Sequence, residues 1–215
     1  DLSSILLIIN KYMKITIDFI FDIASPNAYL THKVLPNFEK KNDVNIKYIP
    51  CLLGGIFKLT NNMPPMMAFA NVKNKNDYQL IEIQRFIKKH KLNSFKFNEN
   101  FPQNTLQAQR CLIAAQDLNC FYEVLDCLLE AMWEKNKAIG EQEVLIDCLK
   151  KSNIDAKKLM EISQSEDCKK QLIKNTDDAV ARGAFGIPTF FLDDQIFFGK
   201  DHMDQLEDCI NELKN

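Results

Sequence analysis

Period-two alternation is confined to the two ends of the chain, and that confinement restricts the fold more than any other feature. From Lys14 to Phe21 apolar side chains fall at Ile15, Ile17, Phe19 and Phe21 with Thr16 and Asp18 between them, a strand pattern. Ser25 and Pro26 follow, then Leu30, Val34 and Phe38 at steps of four, so a helix begins near residue 26. Pro36 lies inside this pattern and is expected to kink the helix or end its first part. Val44, Ile46 and Tyr48 alternate again until Pro50, which makes strand, helix, strand, a right-handed βαβ unit. At the far end, Thr189 to Leu192 and Gln195 to Phe198 flank Asp193-Asp194 and predict a hairpin. A last helix is expected from about Asp201 to Leu213, with Met203, Leu206, Ile210 and Leu213 on one face.

Between these ends the period changes to that of helices. The stretch from Leu52 to Ala70 carries Gly54, Gly55, Asn61, Asn62, Pro64 and Pro65 and is expected to be loop or short irregular turns. Helical spacing then links Leu80, Ile83 and Ile87, then Leu106, Cys111, Leu112 and Ala115. It continues through Phe121, Leu125, Leu128 and Met132, and through Val144, Leu145, Cys148 and Leu149. Two more helices are expected over Asp155 to Ile162 and Ser165 to Arg182. The order predicts an α/β chain, a thioredoxin-like βαβ…ββα domain interrupted by a large all-helical insertion. Residues 13–55 and 184–215 would form the thioredoxin-like domain and 56–183 the insertion. The apolar run Leu2 to Ile9 contains two serines and has no basic flank, so it is too short for a membrane span and a poor secretion signal. Met13 immediately precedes the first strand pattern, so residues 1–12 are expected to be an upstream extension from a misassigned start.

A chain of 215 residues with 46% hydrophobic content can bury roughly 70% of its extended surface and needs no disulfide or structural metal to hold a core. Its 27 basic and 29 acidic residues are interleaved, giving a net charge of -2, and only Arg85, Arg110 and Arg182 are arginine. Neither a nucleic-acid nor a membrane partner is expected from that balance. Seven cysteines are an odd number, and none stands in a C-x-x-C pair, so metal-ribbon and dithiol readings fail on spacing. Buried free thiols in a reducing, cytoplasmic setting explain them. His32, His90 and His202 fall on separate elements and form no metal cluster.

Three short segments could carry chemistry. Ser25-Pro26 is first of all a helix start, since serine is a favoured N-cap and proline suits the first helical position. The same spot in a βαβ unit lies at the carboxyl edge of the sheet, where ligands bind and a helix N-terminus stabilises an anion. Gly186-Ile187-Pro188-Thr189 places a proline just before a strand. Most such bonds are trans; a cis bond would instead turn the Ile187 amide groups toward the site, able to hold an extended peptide. Phe198-Gly199-Lys200-Asp201-His202 opens the last helix, with Asp201 either its N-cap or a carboxylate for the ammonium of a ligand.

Together these segments carry a resemblance. Phe21-Asp22-Ile23-Ala24-Ser25-Pro26, Pro50-Cys51-Leu52-Leu53-Gly54-Gly55-Ile56-Phe57-Lys58 with Asn62-Met63-Pro64-Pro65, Gly183 to Phe190, and Phe198 to Asp201 resemble 2-hydroxychromene-2-carboxylate isomerases, relatives of kappa-class glutathione transferases. The likeness extends over nearly all of the chain from Lys14 and includes Asn104-Thr105 and Trp133. It implies that Ser25 is catalytic and stands where disulfide oxidoreductases have their first cysteine, with Ala28 at the place of the second. It also implies glutathione as cofactor, its sulfur near the Ser25 hydroxyl and the helix start. Ile187 and Pro188 would take the cysteinyl part, and Phe198, Gly199, Lys200, Asp201 and His202 the γ-glutamyl end. Lys58, Asn62 and Asn71 match positions near the substrate, with Lys58 a candidate for its carboxylate. The family commonly has arginine after the aspartate that Asp201 matches, whereas this chain has His202, which lacks the bidentate fork.

The activity so implied interconverts 2-hydroxychromene-2-carboxylate and trans-o-hydroxybenzylidenepyruvate, by addition of the cofactor thiolate to the conjugated enone, rotation, and departure. A kappa-like transferase or peroxidase acting on another electrophile shares every motif, and a non-catalytic glutathione-binding module is a further alternative. A homodimer is expected from the family.

Overall fold

The computed structural model describes residues 14–214, so the expected extension at 1–12 lies outside the described residues. Four strands, β1 (Thr16–Phe21), β2 (Asn45–Pro50), β3 (Thr189–Leu192) and β4 (Gln195–Phe198), form one mixed sheet in the order β2-β1-β3-β4. β1 pairs in parallel with β2, Phe19 opposite Tyr48, and antiparallel with β3, Phe19 opposite Phe190. The hairpin closes β3 on β4 through Asp193, whose φ is 51°. β1 is central, which is why Ile20 is buried along with Ile17, Phe19 and Phe21, where simple alternation would leave it exposed. One face of the sheet carries Phe19 and Phe21 with their rings stacked at 5.7 Å, and Phe19 stacks on Phe190 at 5.0 Å. The other face presents Asp18, Ile20, Lys47 and Ile49 to the last helix of the insertion.

Helix α1 (Pro26–Asn42) runs unbroken across Pro36, so of the two expected outcomes, a kink or an end, proline does not end the helix. Proline inside a helix costs about 3 kcal/mol, and the helix is held before Pro36 by burial of Leu30 and Leu35 and after it by Phe38, which packs against the core. His32 adds a fixed point between β2 and the insertion, its Nδ1 2.8 Å from the Tyr48 hydroxyl and its Nε2 2.9 Å from Asp126.

The stretch expected to be irregular contains a helix, α2 (Leu53–Thr60), followed by a short one, α3 (Pro65–Ala68). Gly54 and Gly55 read as breakers, but Gly55 sits at a close approach: a Cβ there would stand 3.0 Å from Thr176 Cγ2, tight enough that the threonine would have to give way. The insertion continues with α4 (Lys75–His90), α5 (Leu106–Asp117), α6 (Phe121–Trp133), α7 (Gln142–Lys151), α8 (Ala156–Ser163) and α9 (Glu166–Ala181). Asp155 and Ser165 cap α8 and α9 by accepting from the Lys158 and Cys168 amides. Leu80 was expected on the buried face of α4 yet is exposed, and Phe86 is the buried anchor of that helix. The chain ends in a 3-10 turn, Lys200–His202, and helix α10 (Met203–Lys214), which buries Leu206 and Ile210.

All seven cysteines are free; Cys51, Cys111 and Cys168 are buried and the rest half-buried. Burial pushes the Cys111 thiol up to about 11, so it is not a nucleophile at neutral pH. Among the described residues there is no His/Cys/Asp/Glu cluster fit for a metal ion, and no helix long and apolar enough to cross a membrane.

Candidate functional site

The site is built on the turn that leaves β1. The Asp22 carbonyl accepts from the Ser25 amide at 3.0 Å, and Asp22 Oδ1 accepts from the Ala24 amide at 2.9 Å, an Asx turn closed inside a backbone turn. Ser25 then caps α1 in extended backbone (φ −90°, ψ 118°), its Oγ accepting from the Ala28 amide at 3.2 Å. The same hydroxyl donates to the Ile187 carbonyl at 3.2 Å. Ser25 is only 4% exposed.

Ile187–Pro188 is a cis bond, the less frequent of the two alternatives open from sequence. Ile187 is 6% exposed, and its amide has no hydrogen-bond partner among the described residues. That amide is free to donate to the carbonyl of a bound ligand. In the first turn of α1, Pro26 has no N–H and the Ala28 amide is taken by Ser25. Asn27 therefore supplies the first free amide there, and its own Oδ1 is buried without a partner. An anion or thiol beside Ser25 would meet one hydroxyl, free amides and the positive end of a helix dipole.

Phe198 closes one side. Its ring lies over Gly186, where a Cβ would come within 2.9 Å of Phe198 Cε2, and meets Phe185 at 4.6 Å. Gly199 has φ 90°, a conformation that other residues rarely adopt, and its amide donates to the Pro188 carbonyl at 2.9 Å. The segment from Phe198 is thereby tied to the cis-proline loop.

The family model of the DSBA-like thioredoxin domain matches residues 16–211, almost the whole of the described chain. The chain belongs to the DSBA-like thioredoxin domain family. It is 28% identical over 209 residues to glutathione S-transferase kappa 1 of Rattus norvegicus, covering 91% of each chain. Identity is also 28% over 196 residues to 2-hydroxychromene-2-carboxylate isomerase of Sphingobium xenophagum, covering 89% of this chain and 96% of that one. A solved selenomethionine structure of a 2-hydroxychromene-2-carboxylate isomerase superposes with a TM-score of 0.78 at 22% identity, covering 92% of this chain and 95% of that one. That likeness is one of fold: a thioredoxin-like sheet with a helical insertion between β2 and β3.

On this DSBA-like framework the structure brings Ser25, Ile187, Pro188, Phe198 and Gly199 together. Asn62 joins them, its Nδ2 donating to the Phe185 carbonyl at 2.8 Å. Lys58 is exposed on α2, four residues earlier, with no ion pair among the described residues. Asn71 stands in the exposed turn between α3 and α4 and touches none of the others through a polar contact among the described residues. Asp201 is not the N-cap of α10: it lies in the 3-10 turn before it, because Gly199 turns the chain first. Its carboxylate is 2.5 Å from the ammonium of Lys200, which is 4% exposed with its Nζ 5.1 Å from the centre of the Phe86 ring. Lys200 and Asp201 also line an open cavity of about 610 Å³ with Phe38, Tyr78, Arg85 and Phe86. His202 is exposed beside them.

Sequence reasoning gave no role to the residues that hold the Ser25 turn from behind. Gln109 Oε1 accepts from the Ile23 amide at 3.4 Å, while its Nε2 donates to the carbonyls of Phe21 at 3.1 Å and Cys51 at 2.7 Å. Trp133 Nε1 donates to the Ile23 carbonyl at 2.8 Å. Gln109 stands three residues before Leu112, so it is a polar side chain on the buried stripe of a helix, and that was the available signal. Asp22 at the end of an apolar strand was another.

Proposed function

We propose that this chain is a glutathione-dependent isomerase interconverting 2-hydroxychromene-2-carboxylate and trans-o-hydroxybenzylidenepyruvate, or a close analogue. The observation that carries the reading is Ser25 at the N-cap of α1 against Ile187, with Ala28 and no cysteine three residues on. A protein dithiol is ruled out at this position. The relatedness to enzymes named for kappa-class glutathione transfer and for this isomerisation supports the choice of cofactor.

The residues present fit a thiol tripeptide. Bound there, glutathione would supply the nucleophilic sulfur that the chain lacks. Ile187 and Pro188 would hold its cysteinyl part, and Phe198 to His202 its γ-glutamyl end. Ser25 has one proton to donate, now given to the Ile187 carbonyl, so acting on a sulfur requires that hydroxyl to rotate away from it. Rotation gives up a hydrogen bond of about 1 kcal/mol, less than the ~1.5–3 kcal/mol of one to a charged acceptor. Asp201 would receive the ligand's ammonium, which then shares the carboxylate with Lys200. Lys58 and Asn62 would face the acceptor, Lys58 as the cation for its carboxylate and Asn71 as a further contact.

The test is turnover of trans-o-hydroxybenzylidenepyruvate with and without glutathione, beside calorimetric titration of glutathione itself. Glutathione-dependent turnover supports the reading; isomerisation that ignores glutathione sinks it. The equal identity to the rat kappa enzyme favours one second reading, a kappa-like transferase or peroxidase on another electrophile. Conjugation of an aryl halide, or reduction of a hydroperoxide, without isomerisation would select it. We also propose a homodimer, supported by the exposed apolar residues Met63, Met66, Met67 and Val72; sedimentation of a monomer at micromolar concentration would reject it.

A further inference from the structure

Taking a carboxylate out of water is expensive unless its lone pairs are used. Asp22 is 1% exposed and has no ion pair among the described residues, and its carboxyl oxygens accept hydrogen bonds from its own turn, from the start of α2 and from the residue before α5. Oδ1 accepts from the Ala24 amide at 2.9 Å and from the Thr105 hydroxyl of the insertion at 2.7 Å. Oδ2 accepts from the Leu53 amide at 2.8 Å. Leu53 is the first residue of α2, whose own N-cap, Leu52, offers no side-chain acceptor. The cap of α2 is therefore supplied from the end of β1, a side-chain acceptor at a helix N-terminus that lacks one of its own.

The two halves that Asp22 joins have different chemistry. Ala24 precedes Ser25, while α2 carries Lys58 and leads into Asn62. The Ser25 turn also has supports of its own, since Gln109 and Trp133 hold both amide groups of Ile23. At α2 the Leu52 amide is held by Thr176 Oγ1 at 3.1 Å, but among the described residues the Leu53 amide has only Asp22. We propose that Asp22 is a positioning residue that fixes the acceptor-binding residues of α2 relative to the Ser25 turn. This rests on the functional reading above and extends it: one buried carboxylate sets the spacing between the sulfur to be held at Ser25 and the electrophile to be held at Lys58 and Asn62.

Two variants reach the contact from opposite sides. In Asp22→Asn a single oxygen remains, and two donors converge on the Oδ1 position against one at Oδ2, so the amide NH₂ is left facing the Leu53 N–H. Leu53→Pro removes that N–H at a helix position that tolerates proline and leaves Asp22 intact. In both, KM for trans-o-hydroxybenzylidenepyruvate should rise about tenfold or more, while the calorimetric Kd for glutathione stays within about threefold. Amide hydrogen exchange should quicken over the first turn of α2 in both and stay slow at Ala24. Unchanged acceptor KM in both variants, or KM and glutathione Kd rising together, would overturn the proposal. If the wild-type protein neither binds glutathione nor isomerises the enone, the functional reading fails on its own. Exchange then decides the positioning role: quickened exchange confined to α2 upholds it, and exchange unchanged in both variants overturns it.

Discussion

Replacing Ser25 by alanine separates what the hydroxyl does for the fold from what it would do for a bound sulfur. In the fold it makes two hydrogen bonds, accepting from the Ala28 amide and donating to the Ile187 carbonyl. Loss of an N-cap costs about 1 kcal/mol, and a buried carbonyl left with one partner fewer adds about as much again. For a protein of this size 1 kcal/mol moves Tm by about 2–4 °C, so Ser25→Ala should melt roughly 4–8 °C lower and remain folded at 25 °C. The effect on chemistry is separate. A hydrogen bond to a charged acceptor is worth ~1.5–3 kcal/mol, about 1 kcal/mol of which is offset by the bond given up at the Ile187 carbonyl, and 1.36 kcal/mol is one pKa unit. Removing it should raise the bound thiol's pKa by about 0.5–1.5 units and lower kcat/KM at pH 7 by roughly 3- to 30-fold. Glutathione Kd should change far less, and part of the lost rate should return at higher pH as the thiol ionises unaided. Ultraviolet titration of the thiolate in the saturated complex and pH profiles of kcat/KM measure both. Equal rates in wild type and variant with glutathione present, or a rate loss that pH does not alter, would refute the reasoning.

Other perturbations probe the scaffold. Gly199→Ala puts a side chain at φ 90° with nothing within 4 Å of its Cβ, so the penalty is backbone strain alone, about 1–3 kcal/mol, read by urea unfolding. Trp133→Phe removes the donor to the buried Ile23 carbonyl and should cost about 1–3 kcal/mol while preserving helical circular dichroism. The hydrogen bond from His32 holds the Asp126 carboxyl below its ordinary value. A depressed folded pKa contributes stability above the unfolded value of about 3.9 that is lost as pH falls through the folded one. Asp126→Asn should therefore destabilise the protein at pH 6 and cost progressively less as pH falls below about 3.9, which denaturation across that range will show.

Much of the fold is legible because the pattern-bearing residues also do the packing. The hairpin follows from alternation on either side of Asp193-Asp194, and α8 and α9 start at capping residues that bond as their types predict. α2 was hidden because glycine weakens a helix locally, and only the approach of Thr176 shows why Gly55 is there. That the helix continues past Pro36 has a similar reason: local cost is visible in a sequence, while the burial of Leu35 that offsets it is tertiary. At the site, Ser25, Ile187 and Phe198 announce themselves through Pro26, Pro188 and Gly199, residues with restricted or special backbone geometry. Gln109 and Asp22 are ordinary polar types whose partners lie up to 88 residues away, and no local pattern records such pairings.

Trp133 is the single tryptophan of the chain, and its indole hydrogen bond ends two residues from Ser25. Fully buried and stacked at 5.9 Å on Phe95, the indole has one polar contact, and that contact is the turn itself. The protein thus carries an unlabelled optical reporter: its emission comes from one known place, and a ligand that shifts the Ile23 carbonyl will change intensity or wavelength without any added fluorophore.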